Sequence, residues 1–249
     1  MTIGASRVDF IAVPVEDLAR ADEWYGQTLG LARNPHASGD KWVEYETANL
    51  TIALSLYGGV LALRVPDVAE GRTNLEGDGV EFAMDTFDSG VCHGAPFADP
   101  DGNHLQLHRR HAPSERFDVP VQEVERTDFV GVNVRDRKRS SEFYGRTLGL
   151  KANPLASPDW PEFEAENVGV VLSTPEQKGG REYRPEYGIA LRVADVDRTM
   201  ERLRSEGVEF EFPEPYDSGV CHLAFFGDPD GNRLMLHHRY APYKDGSQP

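Results

Sequence analysis

Short alternating or β-branched runs and stretches of helical spacing take turns along the chain. Val8 to Val15 is a β-branched run that predicts a strand. Asp17 is placed to cap a helix in which Leu18, Ala21, Tyr25 and Leu29 recur at three- and four-residue intervals, with Gly30 at its end. Trp42 to Thr47, Leu50 to Leu56 and Leu61 to Val65 read as strands, and Asp67 caps a second, shorter helix. Val80 to Met84, Val91 to Phe97 and His104 to Leu107 predict three more strands. The pattern then restarts, with Asp136 and Asp195 as the caps. The order is βαβββ, four times over.

The restart is a duplication. "DSGVCHGAPFADPDGN" from Asp88 and "DSGVCHLAFFGDPDGN" from Asp217 differ only at Gly94/Leu223, Pro96/Phe225 and Ala98/Gly227. "VDFIAVPVEDLARADEWYGQTLGLARNP" from Val8 pairs with "TDFVGVNVRDRKRSSEFYGRTLGLKANP" from Thr127, and the tails "LHRRHAP" and "LHHRYAP" also match. The repeat distance grows from 119 (Asp9 to Asp128) to 129 (His93 to His222), and the extra residues fall in the Gly- and charge-rich stretch Thr174 to Glu186, a predicted loop. Two copies make a tandem duplication rather than a solenoid. The expected organisation is one domain at 1–115, a linker at 116–123, a second domain at 124–245 and a tail at 246–249.

Composition narrows the function classes. The net charge is −16 over 249 residues, with the acidic groups spread along the chain. Such a surface argues against nucleic acid and anionic membrane as partners. No apolar run approaches the roughly 20 residues of a membrane span, and the N-terminus lacks the pattern of a signal peptide, so a cytoplasmic protein is expected. Cys92 and Cys221, one per repeat, are expected to be reduced and partly buried, as small hydrophobes.

The βαβββ order, the "DPDGN" before the last strand of each repeat and the Tyr-Gly-x-Thr-Leu-Gly-Leu helix ends resemble the vicinal oxygen chelate superfamily. That superfamily contains glyoxalase I, extradiol dioxygenases, fosfomycin-modifying enzymes and bleomycin-binding resistance proteins. The resemblance spans nearly the whole chain. It implies an α+β fold of four βαβββ modules forming two cupped mixed-sheet domains in pseudo-twofold arrangement. A fused pair of this kind implies a monomer that acts as a pseudo-dimer, or a homodimer.

The resemblance also implies a metal held by His or Gln from a module's first strand and Glu from its last. Here those positions fall on Phe10, Ala53, Val60 and Gln106 in the first repeat, and on Phe129, Val171, Gly188 and Met235 in the second. Gln106 alone among them carries a usable donor atom, so no metal and no cofactor is expected. The expected partner is a small hydrophobic or aromatic molecule. Phe10, Phe129, Trp42, Trp160, Tyr216 and Met235 would supply packing, and His93, His222 and Gln106 polar contacts. Alternation also places His104, Gln106 and His108 on one face, a possible metal cluster. Since a Cys and the His after it in a strand point to opposite faces, a Cys-His nucleophilic pair within one repeat is not expected. "DPDGN" reads as a turn. Two alternatives stand beside the binding protein: a lyase, isomerase or oxygenase with a rebuilt His-containing site, and an interaction scaffold with filled cups.

Overall fold

The computed structural model describes residues 3–113, 115, 117–174 and 182–242. The first repeat contributes strands Arg7–Pro14 (β1), Ala32–Gly39 (β2), Trp42–Glu46 (β3), Thr51–Ser55 (β4), Val60–Arg64 (β5), Phe87–Asp88 (β6), Cys92–Ala98 (β7) and His104–Arg110 (β8). The second contributes Val124–Asn133 (β9), Lys151–Ala152 (β10), Glu162–Glu164 (β11), Gly169–Ser173 (β12), Tyr187–Val193 (β13), Tyr216–Asp217 (β14), Cys221–Gly227 (β15) and Arg233–Arg239 (β16). They form two eight-stranded mixed sheets, in the orders β2-β3-β4-β1-β5-β8-β7-β6 and β10-β11-β12-β9-β13-β16-β15-β14. The two orders are the same once eight is added to each label. The β5–β8 and β13–β16 pairs are parallel, while β7–β8 and β15–β16 are antiparallel.

The helices are Leu18–Glu23 (α1), Val68–Gly77 (α2), Arg137–Glu142 (α3) and Val196–Ser205 (α4). Asp17, Asp67, Asp136 and Asp195 cap them, each side chain accepting a backbone N–H from the first turn. Helices α1 and α3 continue into π-helical turns, Trp24–Thr28 and Phe143–Thr147, which Gly30 and Gly149 follow at φ +75°.

Two elements depart from the sequence expectation. Strand β2 carries Pro35 and mostly exposed side chains, so no apolar alternation announces it; it lies at a sheet edge, where Pro costs little. Val80 to Met84 is not a strand. The Val80 N–H bonds back to Leu75 O to close α2, and one isolated bridge, Phe82 to Phe97, is all that forms. The expected loop at 174–186 falls largely, and the tail at 246–249 wholly, outside the described residues.

Contacts divide the chain into two compact units that each draw on both repeats. The first comprises Met1–Ala12, Gly59–Arg116 and Gly131–Glu186. Its core includes Leu61, Leu63, Leu75, Phe97, Leu105 and Leu107, all at most 2% exposed. Each fully buried Leu contributes about 1.5–3 kcal/mol. Helix α2 packs closely here because position 71 is glycine; a Cβ would lie 3.1 Å from Leu107 Cδ1. The "DPDGN" turn does more than reverse the chain. Asp99 Oδ1 accepts the N–H groups of Asp101 and Asn103, and its Oδ2 accepts Tyr144 Oη at 3.1 Å. Asp101 accepts Ser140 Oγ at 2.6 Å and pairs with Arg139, anchoring α3.

The second unit comprises Val13–Gly58, Phe117–Val130 and Tyr187–Pro249. Its turn repeats the arrangement. Asp228 Oδ2 accepts Tyr25 Oη at 2.9 Å, Asn232 donates to Pro14 O, and Asp230 pairs with Arg20 of α1. In both units the turn of one repeat therefore holds the first helix of the other.

Candidate functional site

On β8, Leu105 and Leu107 are buried, and Leu107 faces α2. Strand alternation turns His104, Gln106 and His108 to the opposite face. One row across that face follows from the register: Phe10 pairs with Ala62, Ala62 with Gln106, and Gln106 with Pro96. The next row holds Arg64, His108 and Gly94. The missing side chain at Gly94 makes room for Phe87, whose ring sits where a Cβ would be, and for the Gln106 amide.

His108 is the centre of this face. Its Nδ1 lies 2.6 Å from Asp9 Oδ2, and both side chains are under 10% exposed. Asp9 reaches it because the β1–β5 register shifts between Val8 and Phe10. That bulge lets Asp9 and its neighbour Phe10 address the same imidazole, Phe10 making an edge contact with ring centroids 5.2 Å apart. Cys92 begins β7 two residues before Gly94, the partner of His108, and so stands diagonally across from the imidazole. Ser89 Oγ lies 3.1 Å from the Cys92 sulfur, and the His108 imidazole across the strand pair acts on the same thiol electrostatically.

The second unit repeats the constellation. His237 Nδ1 lies 2.5 Å from Asp128 Oδ2, Phe129 stands edge-on to the imidazole at 5.5 Å, and Cys221 begins β15 two residues before Leu223, the partner of His237. Arg192 donates to both Asp128 oxygens, at 2.8 and 3.1 Å, as Arg64 reaches Asp9 at 2.6 Å. Arg239 approaches the Cys221 sulfur at 3.8 Å.

The electrostatics follow from these contacts. Burial pushes the His108 imidazolium down, but Asp9 and Cys92 outweigh it and raise the pKa to about 9; His237 behaves alike, also at about 9, through Asp128 and Cys221. Burial raises both thiols, yet the imidazoles and nearby arginines carry Cys92 and Cys221 below the ordinary thiol value, with Ser89 also helping at Cys92. Burial likewise opposes ionisation of Asp9 and Asp128, and the His and Arg partners win, lowering both. Each unit thus holds an Asp–His–Cys constellation with the layout of a relay, the imidazole pKa raised and the thiol pKa lowered.

A profile of the family described as "Glyoxalase/Bleomycin resistance protein/Dioxygenase superfamily" matches residues 126–236. A probable lactoylglutathione lyase from Synechocystis sp. is 30% identical over 118 residues, covering 42% of this chain and 88% of that protein. The chain belongs to the glyoxalase/bleomycin resistance protein/dioxygenase superfamily. A probable lactoylglutathione lyase from Vibrio cholerae is 28% identical over 118 residues, 42% of this chain and 84% of that protein. Among solved structures, homoprotocatechuate 2,3-dioxygenase from Arthrobacter globiformis superposes with a TM-score of 0.68 at 18% identity, covering 96% of this chain and 81% of that one. The Mn(II)-bound glyoxalase from Novosphingobium aromaticivorans gives 0.66 at 15% identity, with 94% and 82% covered. These structures establish the glyoxalase-like fold.

Within that fold the residues singled out from the sequence separate. Phe10 and Gln106 share the relay face of the first unit. In the second, Phe129 touches His237, and Met235 lies on the His237 side of β16 between Ala190 and Phe225. Trp42 is half-buried in β3 and donates to Glu44 Oε1. Trp160 is 47% exposed in a turn, and Tyr216 is 56% exposed on edge strand β14, opposite Leu223. His93 and His222 follow their cysteines and turn to the other face, His93 toward Asp88 and His111, His222 against Tyr240. Of His104, Gln106 and His108, the last is bound to Asp9.

The sequence expectation concerned His93 and His222, adjacent to their cysteines in the chain; the histidines on the cysteine face are His108 and His237, brought over by the neighbouring strand. Asp9, His108, Asp128 and His237 were not singled out as a set. The available signal was that all three relay residues recur at matched places: "DF", "VCH" and the "H" of "LQLH" and "LMLH".

Proposed function

We propose that each repeat carries a metal-independent site for a small organic molecule, in which the Asp–His–Cys relay acts on an electrophilic carbon. The observation that carries this reading is that, in both units, a buried imidazole is held by a carboxylate and a cysteine stands diagonally across the neighbouring strand, its thiol pKa lowered by that imidazole. This is the layout of an activated nucleophile with an oriented base. The imidazole takes the thiol proton, and the sulfur lone pair forms a bond to the electrophilic carbon. The displaced electron pair moves to the neighbouring heteroatom, or to the far end of a conjugated system. The imidazolium returns its proton there, so that charge and atoms balance.

The donor set at the positions that hold metal elsewhere in the superfamily does not fit a resident ion. Phe10, Ala53 and Val60 offer no donor, and Gln106 is packed against Phe87 and Gly94. The same rings, Phe10 and Phe129, suit an apolar or aromatic part of the ligand. Arg64, Arg110, Arg192 and Arg239 near the relays favour a polar or anionic reacting end over a wholly apolar ligand.

The test is intact-mass analysis after timed exposure to iodoacetamide and to a panel of small aldehydes and α,β-unsaturated carbonyl compounds at neutral pH. Cys92 and Cys221 should react faster than free cysteine, and His108→Asn and His237→Asn should slow their own repeat by about 100-fold or more. Thiols that react like free cysteine and ignore both substitutions would overturn the reading. Tight binding of ring compounds with no thiol dependence would instead support a binding protein.

A further inference from the structure

We propose that the first repeat carries a divalent transition-metal site formed by Asp88, His93 and His111, and that the second repeat lacks it. His93 follows Cys92 in the chain but turns to the opposite face of β7, and the site does not rest on the proposed function.

The residues converge from three places. Asp88 lies on β6 directly opposite His93 on β7. His111 follows β8 and is folded back over the β6–β7 turn by its N–H bond to Val91 O. The two imidazoles lie tilted at 43° with centroids 4.7 Å apart, and both Nε2 atoms approach the same carboxylate. His111 Nε2 is 3.0 Å from Asp88 Oδ1, and His93 Nε2 is 3.4 Å from Oδ2. One ligand atom from each residue lies within 4.8 Å of the other two. Gly90 N–H bonds Asp88 Oδ1 at 2.7 Å and fixes the carboxylate's orientation.

Two imidazole nitrogens and a carboxylate oxygen suit zinc and its borderline neighbours such as nickel and copper(II), rather than calcium or magnesium. The side chains are between 37% and 55% exposed, so water can complete the coordination shell. A cation there would take the place of the imidazole–carboxylate contacts and would tie β6, β7 and the exit of β8 together.

The second repeat is a built-in control. Asp217 and His222 occupy the same places, but Tyr240 replaces the second histidine. Its ring lies tilted against His222, centroids 4.9 Å apart, and its hydroxyl donates to Asp217 Oδ1 at 2.8 Å. The scaffold is kept while the ligand is exchanged for a hydrogen-bond donor.

The test is calorimetric titration of the full chain, purified metal-free, with zinc chloride and with nickel chloride. Cys92→Ser/Cys221→Ser protein serves as the parent, so that thiols cannot contribute. The parent should bind one equivalent and melt at a higher temperature with metal. His111→Tyr and Asp88→Asn should lose both effects, by at least tenfold in affinity. Tyr240→His should bind a second equivalent. Binding by the parent that survives in His111→Tyr, or no binding by the parent at all, would overturn the proposal. So would a Tyr240→His protein that folds but gains no site.

Discussion

Replacing Asp128 with Asn should destabilise the protein by an amount that depends strongly on pH. Asp128 holds the His237 imidazole at 2.5 Å and, with Cys221, raises its pKa from 6.5 to about 9. A histidine with a raised folded-state pKa binds its proton more tightly folded than unfolded. Its stabilising contribution is fully present below 6.5 and is lost as pH rises through 9. The interval from 6.5 to 9 corresponds to about 3 kcal/mol, an upper bound for the share due to Asp128, since Cys221 supplies part of the shift. The comparison is best made with Cys221→Ser in both proteins, because a thiolate with a lowered pKa gains stability over the same window and would mask the loss. Urea unfolding of Cys221→Ser and Asp128→Asn/Cys221→Ser at steps from about pH 6 to pH 10 gives the difference directly. The penalty of the Asn substitution should be largest near pH 6 and shrink by about 2–3 kcal/mol by pH 10. A penalty that stays constant across that range would refute the claim that Asp128 holds an imidazolium.

Other consequences concern the frame around the relays. Tyr25→Phe removes the hydroxyl that Asp228 accepts in a buried setting and should cost about 1–3 kcal/mol in urea unfolding, against almost nothing for an exposed Tyr57→Phe. Leu63→Ala, at 0% exposure under the first relay, should cost about 2–5 kcal/mol and lower the melting temperature while leaving a cooperative transition. Gly102 sits at φ +88° in the first "DPDGN" turn, so Gly102→Ala should cost about 1 kcal/mol, seen as an earlier thermal midpoint, whereas Gly39→Ala, with a negative φ and open space around its Cβ, should not.

The sequence by itself determined the duplication, the superfamily fold and the helix caps. These rest on local information: period-two and period-3.6 patterning, an Asp before each helix, and Gly where φ must be positive. Such signals act within a few residues, so they survive without any knowledge of the partner strand. The relays rest on information of another kind. Asp9 and His108 are 99 residues apart, and only the order β1-β5-β8-β7 sets their strands and that of Cys92 side by side on one face. Strand parity read along β1 even points the wrong way, since it sends Asp9 and Phe10 to opposite faces. The bulge between Val8 and Phe10 cancels that alternation and brings both to His108. The same holds for His93 and His222. Their chain neighbours drew attention to the pocket, yet alternation turns them to the other face. What they meet there, His111 in one repeat and Tyr240 in the other, is fixed by the fold-back of the chain after β8 and β16.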